Sequence, residues 1–554
     1  MLLKSFHPRV GTGNPAFAEP GGNGAKPNGR SERVRLVASA SGGLWAAIRG
    51  LPWNRFFAGV LSGAAGLIAT LVMRLLGLGV FLPELALDFV ITRVPGTVES
   101  FFIGSLGEGA KGLGFVIALV AILALLGIGA VFYRRIEAVL RRRWAVIAAY
   151  TLGTAAVIVL VVLPLLGAGF GGSETDAGAP FAILSQLIGG WVYAASLDHF
   201  LVDVAARHPE GYSPSRRQFF LGAGAIAASL GIAYLAFSEA VVQPARLAFS
   251  SLQSLLSQEV TPTDAFYVVT KNLIDPVVDA STWTLTVDGL VGPSPLVLSY
   301  AALRDRIQSG ALPVAEEYAT MECVSNEVGG DLIGTAKWGG VRLGDLLQAA
   351  KIESTADWIE FTCADGYTVA IPRARATDPA TLLVLTMNDV PLEGRHGGPA
   401  RILVPGKYGM FSAKWITRIT AIQGAYLGFW QQKGWTNDGP IATEALIAIP
   451  ADGSVTKGPV TLGGFAVSAA DGVSRVEVST DGGANWSPAD LRTPKDPRLT
   501  WVLWTHLWTP SSGGAYRILA RAYDGNGVIQ SSNVAPPFPN GASGYDAITL
   551  YVSA

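Results

Sequence analysis

The chain has 554 residues, half of them apolar and 15% charged, with a mean hydropathy of +0.38, which excludes a wholly water-soluble protein. Its net charge of −1 excludes the strongly basic face that a nucleic-acid partner requires. Two cysteines and five histidines exclude a disulfide framework and a multi-haem subunit.

Residues 1–55 are rich in Gly, Pro, Ala, Lys and Arg without helical period and predict a flexible basic tail. Residues 56–240 carry five apolar stretches, near 56–76, 113–133, 144–167, 180–201 and 219–239. Each reaches the length of about 20 residues that a membrane-crossing helix needs. Residues 78–93, with Glu84 and Asp88 in an amphipathic run, predict an interfacial helix rather than a further span.

Arginine sets the orientation. It occurs in the tail (Arg30, Arg33, Arg35, Arg49, Arg55), between the second and third stretches (Arg134, Arg135, Arg141, Arg142, Arg143) and between the fourth and fifth (Arg207, Arg216, Arg217). The loop from Gly167 to Pro180 has no Lys or Arg and holds Glu174 and Asp176. The positive-inside rule then predicts a multi-pass protein of the cell (inner) membrane, with a cytoplasmic N-terminus and everything after residue 240 outside. Ser215-Arg216-Arg217-Gln218-Phe219-Phe220-Leu221 resembles a twin-arginine export signal placed before the last stretch. Read as a plain positive-inside anchor, it predicts the same topology.

Beyond a connector at 241–260, residues 261–440 mix β-rich runs such as Trp283–Val287 with short helices such as Leu343–Ala350, predicting an α+β domain. Residues 441–554 change to short alternating strands with turn signals, among them Asp481-Gly482-Gly483 and Asp524-Gly525-Asn526-Gly527. That spacing predicts an immunoglobulin-like β-sandwich.

Cys323 follows an apparent strand end and precedes glycines and small polar residues. A thiolate is a soft ligand, usable singly when a cofactor brings the other donors; the alternative is a buried, inert thiol. Downstream, Arg395, His396, Arg401, Lys407 and Lys414 fall within 20 residues of one another among glycines. Arg forks match phosphate oxygens, Lys adds a point charge and backbone N–H groups fill remaining acceptors, as an anionic, phosphate-bearing cofactor needs. A solvated basic loop is the other reading.

Together these motifs resemble the sulfite oxidase family of molybdopterin oxidoreductases, over roughly residues 260–550. In that family one cysteine thiolate binds molybdenum, whose other donors are two dithiolene sulfurs of one molybdopterin and oxygen ligands. Cys323 matches that cysteine, so the resemblance implies a molybdenum–molybdopterin cofactor; the family's haem domain has no counterpart, and no haem is predicted. Phe266, Tyr267 and Thr270 match the early cofactor segment, and Asp365 resembles the acidic pterin contact. His396, Arg401 and the run Ser412-Ala413-Lys414 match the pterin-phosphate positions. Cys363 is read as a packed core thiol. The C-terminal strands resemble the family's dimerisation domain, which implies a homodimer.

The departures bear on substrate. Sulfite oxidases place an arginine where this chain has Val269 and two more where it has Glu327-Val328, and a tyrosine over the metal near the position of Trp435. Glu327 and Trp435 are thus candidates for shaping the substrate pocket. A pocket with Val and Glu leaves the desolvation of a small dianion uncompensated. The resemblance therefore implies a membrane-anchored enzyme that transfers an oxygen atom on a small, sulfur-containing substrate other than sulfite, outside the cytoplasm. Alternatives are a periplasmic sulfoxide reductase drawing electrons from the membrane, and a non-catalytic membrane receptor, which would hold no molybdenum. The electron partner is a cytochrome or is quinone-linked. Because the second and third stretches are nearly free of ionisable groups, they favour an anchor or docking surface over a quinone site. Asp198, His199 and Asp203 are read as ordinary interfacial residues.

Overall fold

In a computed structural model of the chain, which describes residues 53–95, 98, 109–175, 177–204, 249, 251–272, 274–450, 453–469 and 472–553, the described apolar stretches are helices. A lone segment in hydrocarbon can satisfy its own backbone polar groups in no other way. The helices are α1 (Trp53–Leu75), α2 (Leu82–Arg93), α3 (Gly109–Val131), α4 (Arg143–Val157, carried on to Leu165) and α5 (Gly178–Asp198). Among the described residues, four runs are long and apolar enough to cross a membrane: Trp53–Leu75, Lys111–Val131, Arg143–Leu165 and Gly178–Val202. They coincide with the first four predicted stretches. The fifth stretch at 219–239, the twin-arginine motif and nearly all of the predicted tail lie outside the described residues.

Small residues let these helices approach closely, as packing in lipid requires. A Cβ on Gly66 would meet the Gly189 carbonyl oxygen at 2.8 Å, and one on Gly127 would meet the Phe56 ring at 2.7 Å. The turn between α1 and α2 is closed by the Arg74 fork, whose Nε and Nη2 each donate to Glu84 at 2.9 Å. Asp198, at the end of α5, accepts from the Tyr133 hydroxyl at 2.5 Å and pairs with Arg143. It serves as a structural tie.

The α+β part holds two sheets. One has the order β2-β1-β10-β5-β6, comprising β1 (Thr284–Gly289), β2 (Leu296–Ser299), β5 (Trp358–Cys363), β6 (Thr368–Pro372) and β10 (Ile416–Ile422). Its β1–β10 pair is parallel. The other runs β3-β4-β7-β8, with β9 on β7; these are Val314–Glu322, Ile333–Arg342, Leu382–Met387, Val390–Pro391 and Arg401–Leu403. Leu285, Leu346, Phe361, Leu383 and Ile419, all buried, belong to one core that joins both sheets.

The C-terminal part has two sheets, β11-β13-β17-β16 and β12-β19-β18-β14-β15. The strands are β11 (Glu444–Ile449), β12 (Gly453–Val455), β13 (Val460–Val467), β14 (Val473–Ser479), β15 (Ser487–Pro488), β16 (Asp490–Leu491), β17 (Val502–Trp508), β18 (Gly514–Asp524) and β19 (Asp546–Val552). Leu462 and Trp504 of the first sheet and Val476, Ile518 and Leu550 of the second share a core. A further apolar cluster, with Val324, Tyr408, Trp435, Leu446 and Trp501, joins this part to the α+β part.

The α+β part stands on one end of the helices. Lys111, at the start of α3, donates to the Thr270 carbonyl. Lys433 donates to the Ile91 and Val94 carbonyls at the end of α2. Ile274 packs on the cluster that contains Leu67, Phe81, Leu87 and Phe115. The arginine-rich segment from Arg134 to Arg143 follows the opposite end of α3, which at 1.5 Å per residue is about 33 Å away.

Candidate active site

Strand β3 ends at Glu322, and the loop to β4 begins with Cys323. The loop is held by its own polar groups. The Cys323 N–H donates to the Leu332 carbonyl at 2.9 Å, the Asn326 side chain donates to Glu322 Oε1 at 3.2 Å, and the Leu332 N–H donates to Asn326 Oδ1 at 2.9 Å. Cys323 Sγ lies 3.1 Å from Ser325 Oγ. This ordering presents the thiol to a cavity of about 1080 Å³. Every candidate site residue predicted from the sequence lines that cavity: Phe266, Tyr267, Thr270, Cys323, Glu327, Asp365, His396, Arg401, Ser412, Ala413, Lys414 and Trp435. Cys363, by contrast, is packed in the apolar core, where burial pushes its thiol well up.

One end of the cavity is cationic. Arg401 is 4% exposed and donates to the His396 and Ser412 carbonyls, each at 2.9 Å. Its Nε is buried without a partner. Burial lowers its pKa to about 10. Lys414 donates to the Arg395 carbonyl at 3.2 Å and lies over the Trp415 ring at 4.3 Å; burial, opposed in part by the Asp275 charge, lowers its pKa to about 8. Neither cation has an ion pair among the described residues. His396 is buried, with Nε2 2.9 Å from the Thr263 carbonyl, and desolvation lowers its pKa to about 3, leaving it neutral. The Phe266 ring stacks on Tyr267 at 5.3 Å and meets His396 edge-on at 5.9 Å, which fixes the floor beneath these groups.

Asp365 is occupied from within the protein. Its Oδ2 accepts from Asn272 at 3.1 Å and lies 3.7 Å from Lys271 Nζ, while Oδ1 accepts from the Tyr367 N–H at 3.0 Å. Lys271, which also lines the cavity, escaped the sequence reading; its place directly after the Phe266–Thr270 run was the available signal. Trp435 is 5% exposed, and its indole N–H is buried with no partner. Glu327 is exposed on the cavity rim. The sequence reading also missed that α2 and the start of α3 supply part of the wall, through residues such as Val90 and Ile117.

These residues fit an anionic, metal-bearing cofactor. A buried Arg401 with an orphaned donor and a half-buried Lys414, neither paired with a carboxylate among the described residues, are costly unless an anion joins them. Among the described residues no three His, Cys, Asp or Glu side chains converge on a metal position. A metal bound at Cys323 must therefore bring its other donors with it.

Comparison with known proteins agrees. Residues 272–430 match the family model described as oxidoreductase molybdopterin binding domain, and residues 441–536 the one described as Mo-co oxidoreductase dimerisation domain. Sulfite oxidase of Gallus gallus is 30% identical over 332 residues, 51% of this chain and 70% of that protein. Sulfite oxidase of Arabidopsis thaliana is 30% identical over 344 residues, 51% of this chain and 84% of that protein. Of the human mitochondrial sulfite oxidase, 31% identical, the matched segment covers 59%, less than two thirds. A solved structure of the sulfane dehydrogenase SoxCD from Paracoccus pantotrophus is similar with a TM-score of 0.47 and 21% identity, covering 53% of this chain and 84% of that one. The chain belongs to the sulfite oxidase family of molybdopterin-dependent oxidoreductases. It is an enzyme, and its cofactor is molybdenum–molybdopterin.

Proposed function

We propose that this chain is a membrane-anchored oxidoreductase that transfers an oxygen atom to or from an uncharged sulfur centre of a small substrate outside the cytoplasm. The observation that carries the reading is the shared cavity, lined by Cys323, the buried Arg401 and the half-buried Lys414. Cys323 would hold the metal. Arg401, through its orphaned Nε, and Lys414 would hold the pterin phosphate. His396, neutral, spends its Nε2–H on the Thr263 carbonyl and would present Nδ1 only as an acceptor, and Asp365 would act chiefly by fixing Lys271 and Asn272 against the pterin. When bound, the cofactor supplies the two-electron exchange with the substrate. The Trp435 indole N–H, buried and unpartnered, is the donor available to a substrate oxygen.

Sulfite is disfavoured because Glu327 and Asp331 line the cavity where a dianion would need compensating cations. The anchoring reading is supported by the four membrane-length helices. Outside placement is supported by the arginines that follow the far end of α3 from the α+β part. We also propose domain limits of 56–240 for the membrane region, 261–440 for the cofactor domain and 441–554 for an immunoglobulin-like dimerisation domain.

The test is Cys323→Ser in the full chain, with molybdenum content and dye-linked turnover as readouts. The expected result is a loss of turnover greater than about tenfold, equivalent to about 1.4 kcal/mol; unchanged turnover sinks the reading. A screen of sulfite, sulfoxides and N-oxides then fixes substrate and direction, with activity on sulfite alone counting against an uncharged substrate.

A further inference from the structure

The cavity at Cys323 does not end within the water-soluble part. Its far wall is built by α2 and the first turns of α3, where Val90, Ile91, Leu113, Gly114 and Ile117 line the same space as Cys323. At about 1080 Å³ the cavity lies just above the usual range for one small ligand, roughly 300–1,000 Å³. A pterin at the cationic end leaves the apolar end for a second occupant. Val90 and Ile117 are 51% and 61% exposed, so this wall is not consumed by packing.

The reaction also needs an electron partner. The chain holds two cysteines and five histidines, and among the described residues no metal-binding cluster converges. The described residues thus provide no relay of further metal centres. A partner that meets the cofactor directly does so through this cavity, and the apolar wall there belongs to the short helix α2 and to α3, a helix of membrane-spanning length.

We propose that the apolar end of the cavity binds a membrane-soluble quinone, with its ring toward Cys323 and its hydrocarbon chain along the α2–α3 wall. The proposal rests on the oxidoreductase reading above. The net reaction balances: substrate, water and quinone give the oxygenated substrate and quinol. The sulfur lone pair gains the oxygen of water, and the two electrons released, with the two protons of water, convert the quinone's two carbonyls to hydroxyls. The reductive direction is the reverse.

To test this, the full chain, purified in detergent with its cofactor, is photolabelled with an azido-benzoquinone bearing a decyl chain, and adducts are mapped by mass spectrometry. Adducts are expected in peptides covering residues 86–118 and 266–271. Excess decyl-benzoquinone should chase them, and decanol should not. Ile117→Trp and Val90→Trp should each lower labelling at least about tenfold at wild-type molybdenum content. Equal chase by decanol identifies a lipid groove and overturns the proposal, as does labelling that both variants leave unchanged. If neither variant folds, the chase of the wild-type protein decides. A wild-type protein without molybdenum would instead remove the oxidoreductase reading, and the chase result would still stand for the quinone site.

Discussion

Lys414 shows how a single residue reports a missing anion. Its half-buried ammonium lies over Trp415 and donates to a carbonyl, with no carboxylate paired to it among the described residues, and desolvation brings its pKa to about 8. Lys414→Gln removes the charge while keeping a hydrogen-bonding end. Since a hydrogen bond to a charged group contributes about 1.5–3 kcal/mol, cofactor retention measured by molybdenum content after gel filtration should weaken by about tenfold or more. Trp435→Phe removes only the orphaned indole N–H. It should leave molybdenum content intact and lower kcat/KM by about fivefold to tenfold, as loss of one neutral hydrogen bond of about 1 kcal/mol would do. At this scale Cys323 and the run Ser412-Ala413-Lys414 were singled out in the sequence by their resemblance to the family's motifs, and all four line one cavity. The partners of Asp365 were not, because Asn272 and Lys271 reach it from 93 and 94 positions away.

Elements carry two further expectations. Glu322, at the end of β3, and Glu444, at the start of β11, are both buried. Desolvation pushes Glu322 up to about 8 and, with the Glu322 charge beside it, raises Glu444 well above the usual carboxylate range. A raised folded-state pKa gives stability that is complete below the unfolded value near 4.5 and is lost as pH rises through about 8. Thermal unfolding should therefore show Tm falling from pH 5 to pH 9, and Glu444→Gln should reduce that fall by about 2–4 °C per kcal/mol relieved. An equal fall in the variant would discount the pair. In the membrane region, Gly66→Leu places a side chain where a Cβ already meets the Gly189 carbonyl oxygen at 2.8 Å. Overpacking of this kind costs about 1–3 kcal/mol, so the variant should unfold at lower temperature in detergent while an exposed change such as Val72→Leu does not. The four described long apolar helices were legible from length and hydropathy, and so was a helix within 78–93. That α2 would wall the cofactor cavity was not, because an amphipathic run does not say what its apolar face covers.

For the whole molecule, two measurements test the assembly. The match of residues 441–536 to a dimerisation domain leads us to expect two chains per particle by light scattering of the detergent-solubilised protein, once the detergent mass is subtracted. A reporter fused after residue 554 should be active only outside the cytoplasm, and one fused before residue 1 only inside. The amino-acid sequence by itself determined where the long apolar helices lie and where the mixed α+β part begins, because hydropathy is a property of each segment alone. It also pointed to the cofactor class, through motifs around Cys323, His396 and Lys414 that resemble those of the sulfite oxidase family. Only the tertiary structure decided that these parts share one cavity. The sequence argument against a quinone site counted ionisable groups within the helices and found few; folding brings Lys271 and Asp365 to the helix ends from another domain. That juxtaposition depends on contacts such as Lys111 to Thr270, 159 positions apart, and no local pattern encodes a contact at that separation.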